Sequence, residues 1–549
     1  MLSFDTRTVH SLNAAKQFQF WVQLIDPNTK TPDGRDSVYY QRTRTDFDNT
    51  PLSTSTSATF QSFYNTQFQA NYNRTFNQKH TFTGLVLAQQ QSLIKPGDAL
   101  PFNVRGLASR LTYSYANKYT VEFNAGYNGS EQFAKGRRYG FFPSYSAGWN
   151  IHNEPFFSNA LHTITMLRIR GSYGSVGGDQ LGSRRFLYLD EISRQSGSYS
   201  ATLGRGSGIL ESFFGNPNVQ WEVARKANVG LEIGLLSSLT LTADVFHEKR
   251  SNVLIFRGTI PMIIGVPSSS LAPANIGVIE NKGFELDLNY NKVFSKDFSV
   301  VTKWNLNYAA NKVLFNDEVK LGEDFAYRYR TTGYQIGQQF GYKSLGFFNS
   351  QEEIDAYGVT YQGRAPRPGD LKFADLNNDK VINERDMMPI GESSMPKYSW
   401  GAAANITFKN FDLSFLFQGA FKVSGQVLSS EVNDFRERHQ HAWTPERVAS
   451  GEEILYPALS LSASSSTTSA NTYFNENKSF IRLKNLELGY RLPASLTSRV
   501  GVKRMRLYVN GLNIFTWDKM VQKDWDPELG SLTSFPVYRV LNAGVNINF

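Results

Sequence analysis

The chain has 549 residues, 14% aromatic and only 19% charged, with a net charge of +9 and no cysteine. The absence of cysteine excludes a disulfide framework and any thiolate metal site, and without a basic stripe or RNA-binding motif the charge gives no footing for nucleic acid. Mean hydropathy is polar, at −0.38, and no run reaches the ~18 apolar residues of a membrane helix.

A β-barrel reconciles that polar average with 41 Phe and 27 Tyr, because only alternate strand residues meet lipid. The start, Met1-Leu2-Ser3-Phe4-Asp5, lacks the basic end, apolar run and small-residue cleavage site of a secretory signal. An exported protein needs one, so the expectation is a fragment or a chain whose true start is missing.

Period-two alternation makes one strand face apolar and the other polar, and it recurs along the chain. Two weaker candidates lie near 1–10 and 16–26, and clearer ones near 57–75, 80–95 and 103–116. Tyr119, Val121, Phe123, Ala125 and Tyr127 then alternate with Thr120, Glu122, Asn124, Gly126 and Asn128. Further runs fit near 141–153, 165–176, 223–235, 239–255, 276–292, 298–314 and 398–408. Phe411, Leu413, Phe415 and Phe417 alternate with Asp412, Ser414, Leu416 and Gln418. Runs near 479–492 and from Arg504 precede the last strand, where Leu541, Ala543, Val545, Ile547 and Phe549 alternate with Asn542, Gly544, Asn546 and Asn548. That makes about seventeen strands, most at or above the ~9–11 residues a tilted membrane strand needs.

A soluble sandwich would alternate in the same way, so the connections decide. Tight turns at 76–79, 116–118, 236–238 and 409–410 are separated by long segments at 26–56, 177–222, 256–275, 315–397 and 423–478. Short turns on one side and long loops on the other predict an all-β, antiparallel transmembrane barrel with periplasmic turns and extracellular loops. Two breaks in the alternation predict β-bulges near Asn485 and Gly511. Tyr113, Tyr115, Phe141, Phe142, Tyr145, Trp149, Trp400, Phe515 and Trp517 fall near strand ends and predict an interfacial girdle.

Several strings add a resemblance. Asn216-Pro217-Asn218-Val219-Gln220-Trp221-Glu222 runs into Asn228-Val229-Gly230-Leu231, and Asn281-Lys282-Gly283-Phe284-Glu285 follows. Ile336-Gly337-Gln338, Gly341-Tyr342, Pro368-Gly369-Asp370-Leu371, Leu488-Gly489-Tyr490, Asn513-Ile514-Phe515-Thr516-Trp517 and Asp526-Pro527-Glu528 come later in the same order. From about Arg110 to Phe549 the chain resembles the C-terminal barrel of the SusC/RagA family of TonB-linked outer-membrane proteins. The resemblance implies a 22-stranded barrel closed inside by an N-terminal plug. It implies TonB-dependent nutrient import of oligosaccharides or peptides, with a TonB complex acting through the plug and a SusD-like surface lipoprotein as lid. It also implies the outer membrane of a Gram-negative, Bacteroidetes-like cell, with outer-membrane lipids around the wall. Residues 1–549 match only the barrel, with no plug, TonB box or signal peptide in them. The expectation is an N-terminally truncated barrel domain that starts near the sixth strand. A passive pore or adhesin-type barrel is the alternative, and a soluble multi-domain β protein that binds glycans is a weaker one.

One stretch has metal-ligand spacing. From Asp375 to Asp386, oxygen-bearing residues fall at positions one, three, five, nine and twelve, as in a calcium loop. Asp375, Asn377, Asp379, Asn383, Asp386 and the Val381 carbonyl could supply six oxygens to Ca²⁺. Lys380 stands where the turn glycine belongs and Asp386 is shorter than the usual Glu, so an Asx-rich turn is the competing reading. His439 and His441 are spaced for a metal on an extended segment, against a solvated loop as the simpler reading. For the loop aromatics Trp443, Tyr473, Phe474 and Trp525, packing within the loops competes with sugar stacking. No nucleophile elbow or carboxylate pair points to an enzyme.

Overall fold

The computed structural model describes the chain apart from residues 1, 16–20, 31, 33, 35, 43–52, 97–99, 183, 197–206, 321, 323–329, 428–436, 461–463, 499–500, 522, 524, 531–533 and 535–536. Sixteen strands form one sheet. They are β1 (Leu2–Ala15), β2 (Ser53–Phe76), β3 (His80–Ile94), β4 (Phe102–Tyr115), β5 (Tyr119–Ser130), β6 (Tyr139–Asn150), β7 (Ile164–Gly178) and β8 (Glu222–Leu235). The rest are β9 (Leu239–Ile255), β10 (Ala274–Ser295), β11 (Phe298–Phe315), β12 (Tyr398–Phe408), β13 (Phe411–Phe421), β14 (Phe480–Arg491), β15 (Arg504–Asp518) and β16 (Val540–Asn548). Their order in the sheet is their order in the chain.

One expected strand does not join this sheet. Of the run near 16–26, residues 16–20 lie outside the described ones, and Trp21–Lys30 pairs with Asp36–Arg42 as a separate hairpin. Closing a short loop costs less entropy than reaching a distant partner, so this run uses the strand next to it in sequence.

The connections sort as expected. At one set of strand ends lie the turns 77–79, 116–118, 236–238, 296–297 and 409–410. Asn77 and Gln78, Ala116 and Asn117, and Leu236 and Ser237 all take positive φ. Two successive left-handed residues make the I′ turn, whose twist matches that of the strands it joins. Connections 151–163 and 492–503 fall at the same ends but are longer, and they hold short helical turns. The other ends carry the long segments, including 179–221, 256–273, 316–397, 422–479 and 519–539.

The chain forms two compact units: Met1–Ala70, Val86–Ala108 and Asn128–Glu131, and then Asn71–Leu85, Ser109–Tyr127 and Gln132–Phe549. In the first, β1 lies antiparallel on β2 from Leu2↔Thr66 to Ala15↔Ser53, with the Phe4 and Tyr64 rings 4.6 Å apart.

In the second unit the pairing shows how the faces divide. One row across β6 to β15 reads Trp149, Ile169, Leu231, Ala243, Leu286, Leu306, Trp400, Gly419, Ile481, Trp517. The adjacent row reads Asn150, Arg168, Glu232, Thr242, Asp287, Asn305, Gly401, Gln418, Arg482, Thr516. Ten strands thus keep one apolar and one polar face in common register, which a slip of one residue anywhere would invert. The apolar face is open: Val245 is 64% exposed, Val229 61% and Trp517 55%. A water-soluble sandwich would bury such residues against a second sheet.

The aromatic girdle is mostly as expected, with Tyr115, Phe141, Tyr145, Trp149, Phe515 and Trp517 exposed. Phe142 departs from it. It turns to the other face and packs on Trp221, ring centroids 5.4 Å apart, beside a buried cluster of Phe133, Leu187, Phe213 and Val219.

The bulge near Asn485 is present. Lys484 is skipped in the pairing of β14 with β13, where Leu416↔Asn485 is followed by Phe417↔Leu483. The second irregularity falls at Asn513, at φ +53°, and not at Gly511, which stays in register with Leu541. Asn tolerates the left-handed region that a bulge requires, so the extra residue settles there.

The open face gives a direct test. Val245→Arg is expected to cost about 2–4 kcal/mol of folding stability in a bilayer. Thr242→Lys, on the other face of the same strand, is expected to cost little. Urea midpoints of the protein refolded into vesicles would separate the two.

Candidate functional site

Among the arginine clusters of the polar face, three join groups from three elements each. On β7, Arg170 donates from Nε to Glu232 (3.1 Å) and from its terminal nitrogen to Asp244 (2.6 Å). Gly230 makes room for them: a Cβ there would lie 2.7 Å from Asp244 Oδ1 and 2.8 Å from Arg170 Cζ. On β15, Arg506 pairs with Asp412 of β13 and with Glu487 of β14 at 2.6 Å. Asn510 donates to the second Glu487 oxygen at 3.1 Å. The third cluster centres on Arg482 of β14, fully buried. Its Nε donates to Thr516 (2.9 Å), and its terminal nitrogens reach Asp526 (2.5 Å) and Glu528. Through those carboxylates the 519–539 segment is held against the wall. Lys478 strengthens the hold, donating to the Leu529 carbonyl at 2.7 Å and lying over the Trp525 ring.

Sequence reasoning did not single out these clusters. The available signal was register: each arginine sits on the polar phase of its strand, and Arg170 and Arg506 meet acids of nearby strands, whereas the acids of Arg482 come from the 519–539 segment.

Beyond the strands, the described parts of connections 316–397 and 422–479 fold into one body. Tyr342, Phe348, Tyr361, Leu371, Phe373, Ile382, Ala442, Tyr456 and Phe474 form its buried core. Hydrogen bonds join the two connections: Tyr342 N to Ala470 O at 2.9 Å, Thr472 N to Tyr342 O at 2.9 Å, and Leu371 N to Ser466 Oγ at 2.8 Å. The Tyr361 hydroxyl accepts from Phe373 N at 2.8 Å and donates to Leu371 O at 3.2 Å. Burial pushes that phenol well above its ordinary range, and pushes Tyr473 up to about 12. Both stay neutral and serve the packing.

This body absorbs several sequence candidates. Trp443 and Phe474 are buried and Tyr473 is half-buried in it, while Trp525, of the 519–539 segment, is buried with Val427 and Met520, so all four pack within the loops. Trp443 also donates from Nε1 to Asn349 at 3.2 Å. The solvated reading of the histidine pair is corrected at His439, which is buried with its ring edge-on to Tyr456 at 4.3 Å. The reason is its neighbour: Arg438 lies over the Tyr456 and Phe474 rings and donates to the Val427 carbonyl at 2.8 Å, which draws this turn into the core.

The 375–386 loop is closed by its own backbone. Asp375 Oδ2 accepts from Lys380 N (2.8 Å), Asn377 Oδ1 from Asp379 N (3.1 Å) and Asp379 Oδ1 from Val381 N (2.8 Å). Asn383 caps a short helical turn through Arg385 N, and Asp386 accepts from Leu376 N (2.8 Å) and Asn383 N (2.9 Å). Asn378 and Lys380 both take positive φ, so Lys380 reaches the turn conformation usual for glycine. Asp386 is fully buried, and burial raises its carboxyl above the ordinary range. Asp375 Oδ1 is buried without a hydrogen-bond partner. Among the described residues, no group of three or more His, Asp or Glu is placed to hold a metal.

Comparison with known proteins now places the chain. A family model described as the TonB dependent receptor-like β-barrel matches residues 2–514. The chain belongs to that family. The TonB-dependent receptor P3 of Formosa agariphila is 30% identical over 80% of this chain and 45% of its own length. The TonB-dependent receptor SusC of Bacteroides thetaiotaomicron is 27% identical over 77% of this chain and 41% of its own length. The chain spans about half the length of the curated relatives it matches. Among solved structures, the RagAB peptide importer in its 'open-open' state superposes with a TM-score of 0.72, at 20% identity, over 100% of this chain and 59% of that one. That likeness supports the fold. As a TonB-dependent receptor barrel the sheet is outer-membrane wall, with its apolar face toward lipid and its arginine clusters on the other. Among the described residues no helix is long and apolar enough to cross a membrane, which says nothing against crossing by strands.

Proposed function

We propose that this chain is the barrel wall of a SusC-like, TonB-dependent outer-membrane importer of oligosaccharides or peptides. The observation that carries the reading is the division of faces over ten strands, with Arg170, Asp244, Arg482, Arg506 and Asp412 all on the phase opposite the open apolar rows. A charged, water-accepting lining suits a polar cargo. The 316–397 and 422–479 body, on the long-loop side, is the surface offered to a SusD-like lipoprotein, and the TonB complex acts through a plug. The curated relatives named as TonB-dependent receptors support this reading. The test is uptake of labelled oligosaccharide or peptide pools by cells carrying the full-length gene, with and without a protonophore. Uptake that stops when the proton gradient collapses is expected. Uptake that continues would favour the passive pore.

Calcium at the Asp375–Asp386 loop is a separate proposal, supported by the unpaired Asp375 Oδ1 in a loop whose other candidate ligands are Asn377, Asp379, Val381, Asn383 and Asp386. A bound ion would take that oxygen and displace some of the N–H donors. Millimolar Ca²⁺ is expected to raise the melting temperature of the wild type but not of Asp375→Asn. Equal melting with Ca²⁺ and with EDTA would sink it.

A further inference from the structure

On the apolar face of β2 to β6, near the tight-turn ends, lies a groove of about 720 Å³. That is within the ~300–1,000 Å³ of small-molecule sites. Gly84 of β3 forms its floor, and Tyr72, Phe76, Phe82, Tyr113 and Phe123 wall it. The walls are braced against each other. Phe82 and Tyr113 rings are 4.8 Å apart, Phe123 and Tyr145 are 5.1 Å apart, and His80 Nδ1 lies 2.9 Å from the Tyr113 hydroxyl. A groove already shaped costs little ordering on binding. The one carboxylate among its lining residues, Glu122, points away, accepting from Thr112 at 2.9 Å and Asn124 at 2.8 Å on the polar face.

The rim is cationic. Arg74 shares a face with Tyr72 and Phe76, and its guanidinium lies 4.9 Å over the Phe76 ring. Lys79 stands in the adjoining turn, at the end of the same strand. Among the described residues neither has a carboxylate within salt-bridge distance. Lys118 of the neighbouring turn is neutralised by Glu154 at 2.9 Å, so a paired cation was available to this region and the rim does not use one. An arginine on the lipid side of a strand keeps its stem in the apolar layer and its head at the interface, where a phosphate is the abundant anion.

We propose that this groove is a specific site for one anionic phospholipid of the periplasmic leaflet, with an acyl chain over Gly84 and the phosphate at Arg74. Lys79, the second rim cation, adds to the positive field at that phosphate and disfavours a headgroup that carries its own cation. A second copy of this chain would fill the apolar part but leave both cations without a counter-charge. The site rests on the membrane placement of the wall and is independent of the importer reading, so failure of uptake would leave it untouched.

The test is native mass spectrometry of the detergent-extracted protein, titrated with dioleoyl-phosphatidylglycerol or with dioleoyl-phosphatidylcholine. One retained phosphatidylglycerol is expected, preferred over phosphatidylcholine by about tenfold, the size of one charge-assisted contact. Gly84→Phe should abolish retention of both lipids. A Cβ at 84 meets Leu111 and Tyr72 at 3.7 and 3.8 Å, ordinary contact, so the backbone accepts the side chain. Arg74→Gln should keep lipid binding and erase the headgroup preference, and Arg74→Lys should restore it. The mobility shift of unboiled samples on gels confirms that each variant is folded, with Gly84→Leu as the replacement if Gly84→Phe is not. Equal retention of the two lipids by the wild type overturns the proposal. So does unchanged retention in Gly84→Phe, or a dimer in the wild type that Gly84→Phe dissociates without loss of lipid.

Discussion

Arg482→Met is expected to destabilise the protein by about 3 kcal/mol, toward the low end of the 3–5 kcal/mol that breaking a buried ion pair costs. Arg482 has no exposed side-chain surface, while its partners Asp526 and Glu528 keep 19% and 30% of theirs. Without the guanidinium, those carboxylates recover part of their hydration, which sets the lower figure. The damage should centre on the 519–539 segment. Gln418, at 2.8 Å from Glu528, and Lys484, at 3.9 Å, are too weakly placed to hold it alone. Faster amide exchange around Trp525 and Leu529, with β12 and β13 unchanged, is the expected pattern. Removing all three charges together, as Arg482→Met with Asp526→Leu and Glu528→Leu, should recover much of the loss, because no buried charge is then left unpaired. Unchanged exchange in the single variant would mean that the segment is held by Lys478 and Trp525 instead.

Phe373→Ala is expected to cost about 3–5 kcal/mol, the range for deleting a buried phenyl ring. The ring is fully buried, stacked on Tyr342 at 4.9 Å and near Tyr361 at 5.8 Å. The cost should stay local. The body made by 316–397 and 422–479 has its own core, so it can loosen while the strand ladder stays paired. New protease cuts between Gln351 and Lys372, without a change in unboiled gel mobility, are the expected result. Loss of the folded barrel band would show that this body and the wall unfold as one unit.

The barrel wall was legible in the sequence because its code is local and repeated. Period two in β8, β9 or β13 needs no knowledge of any other strand, and the phase of one confirms that of the next through a short turn. The tight turns were legible as short breaks between alternating runs, but their I′ geometry was not, since it places Ala116 and Leu236 as well as Asn117 and Ser237 at positive φ. The bulge at Lys484 showed as a break in phase, although the partner irregularity came to rest at Asn513 and not at Gly511.

The loops were not legible in that way. Ser344 meets Thr472 across 128 residues and Leu371 meets Ser466 across 95. No periodicity announces such pairs, so His439 read as solvated though it is buried. The arginine clusters share this origin. The strand pattern placed each arginine on the wet side, but strand pairing decided which acids Arg170 and Arg506 would meet, and the docking of the 519–539 segment decided those of Arg482. Alternation along a strand follows from its own backbone geometry, whereas contacts between distant segments follow from which surfaces remain to be buried once the strands have paired.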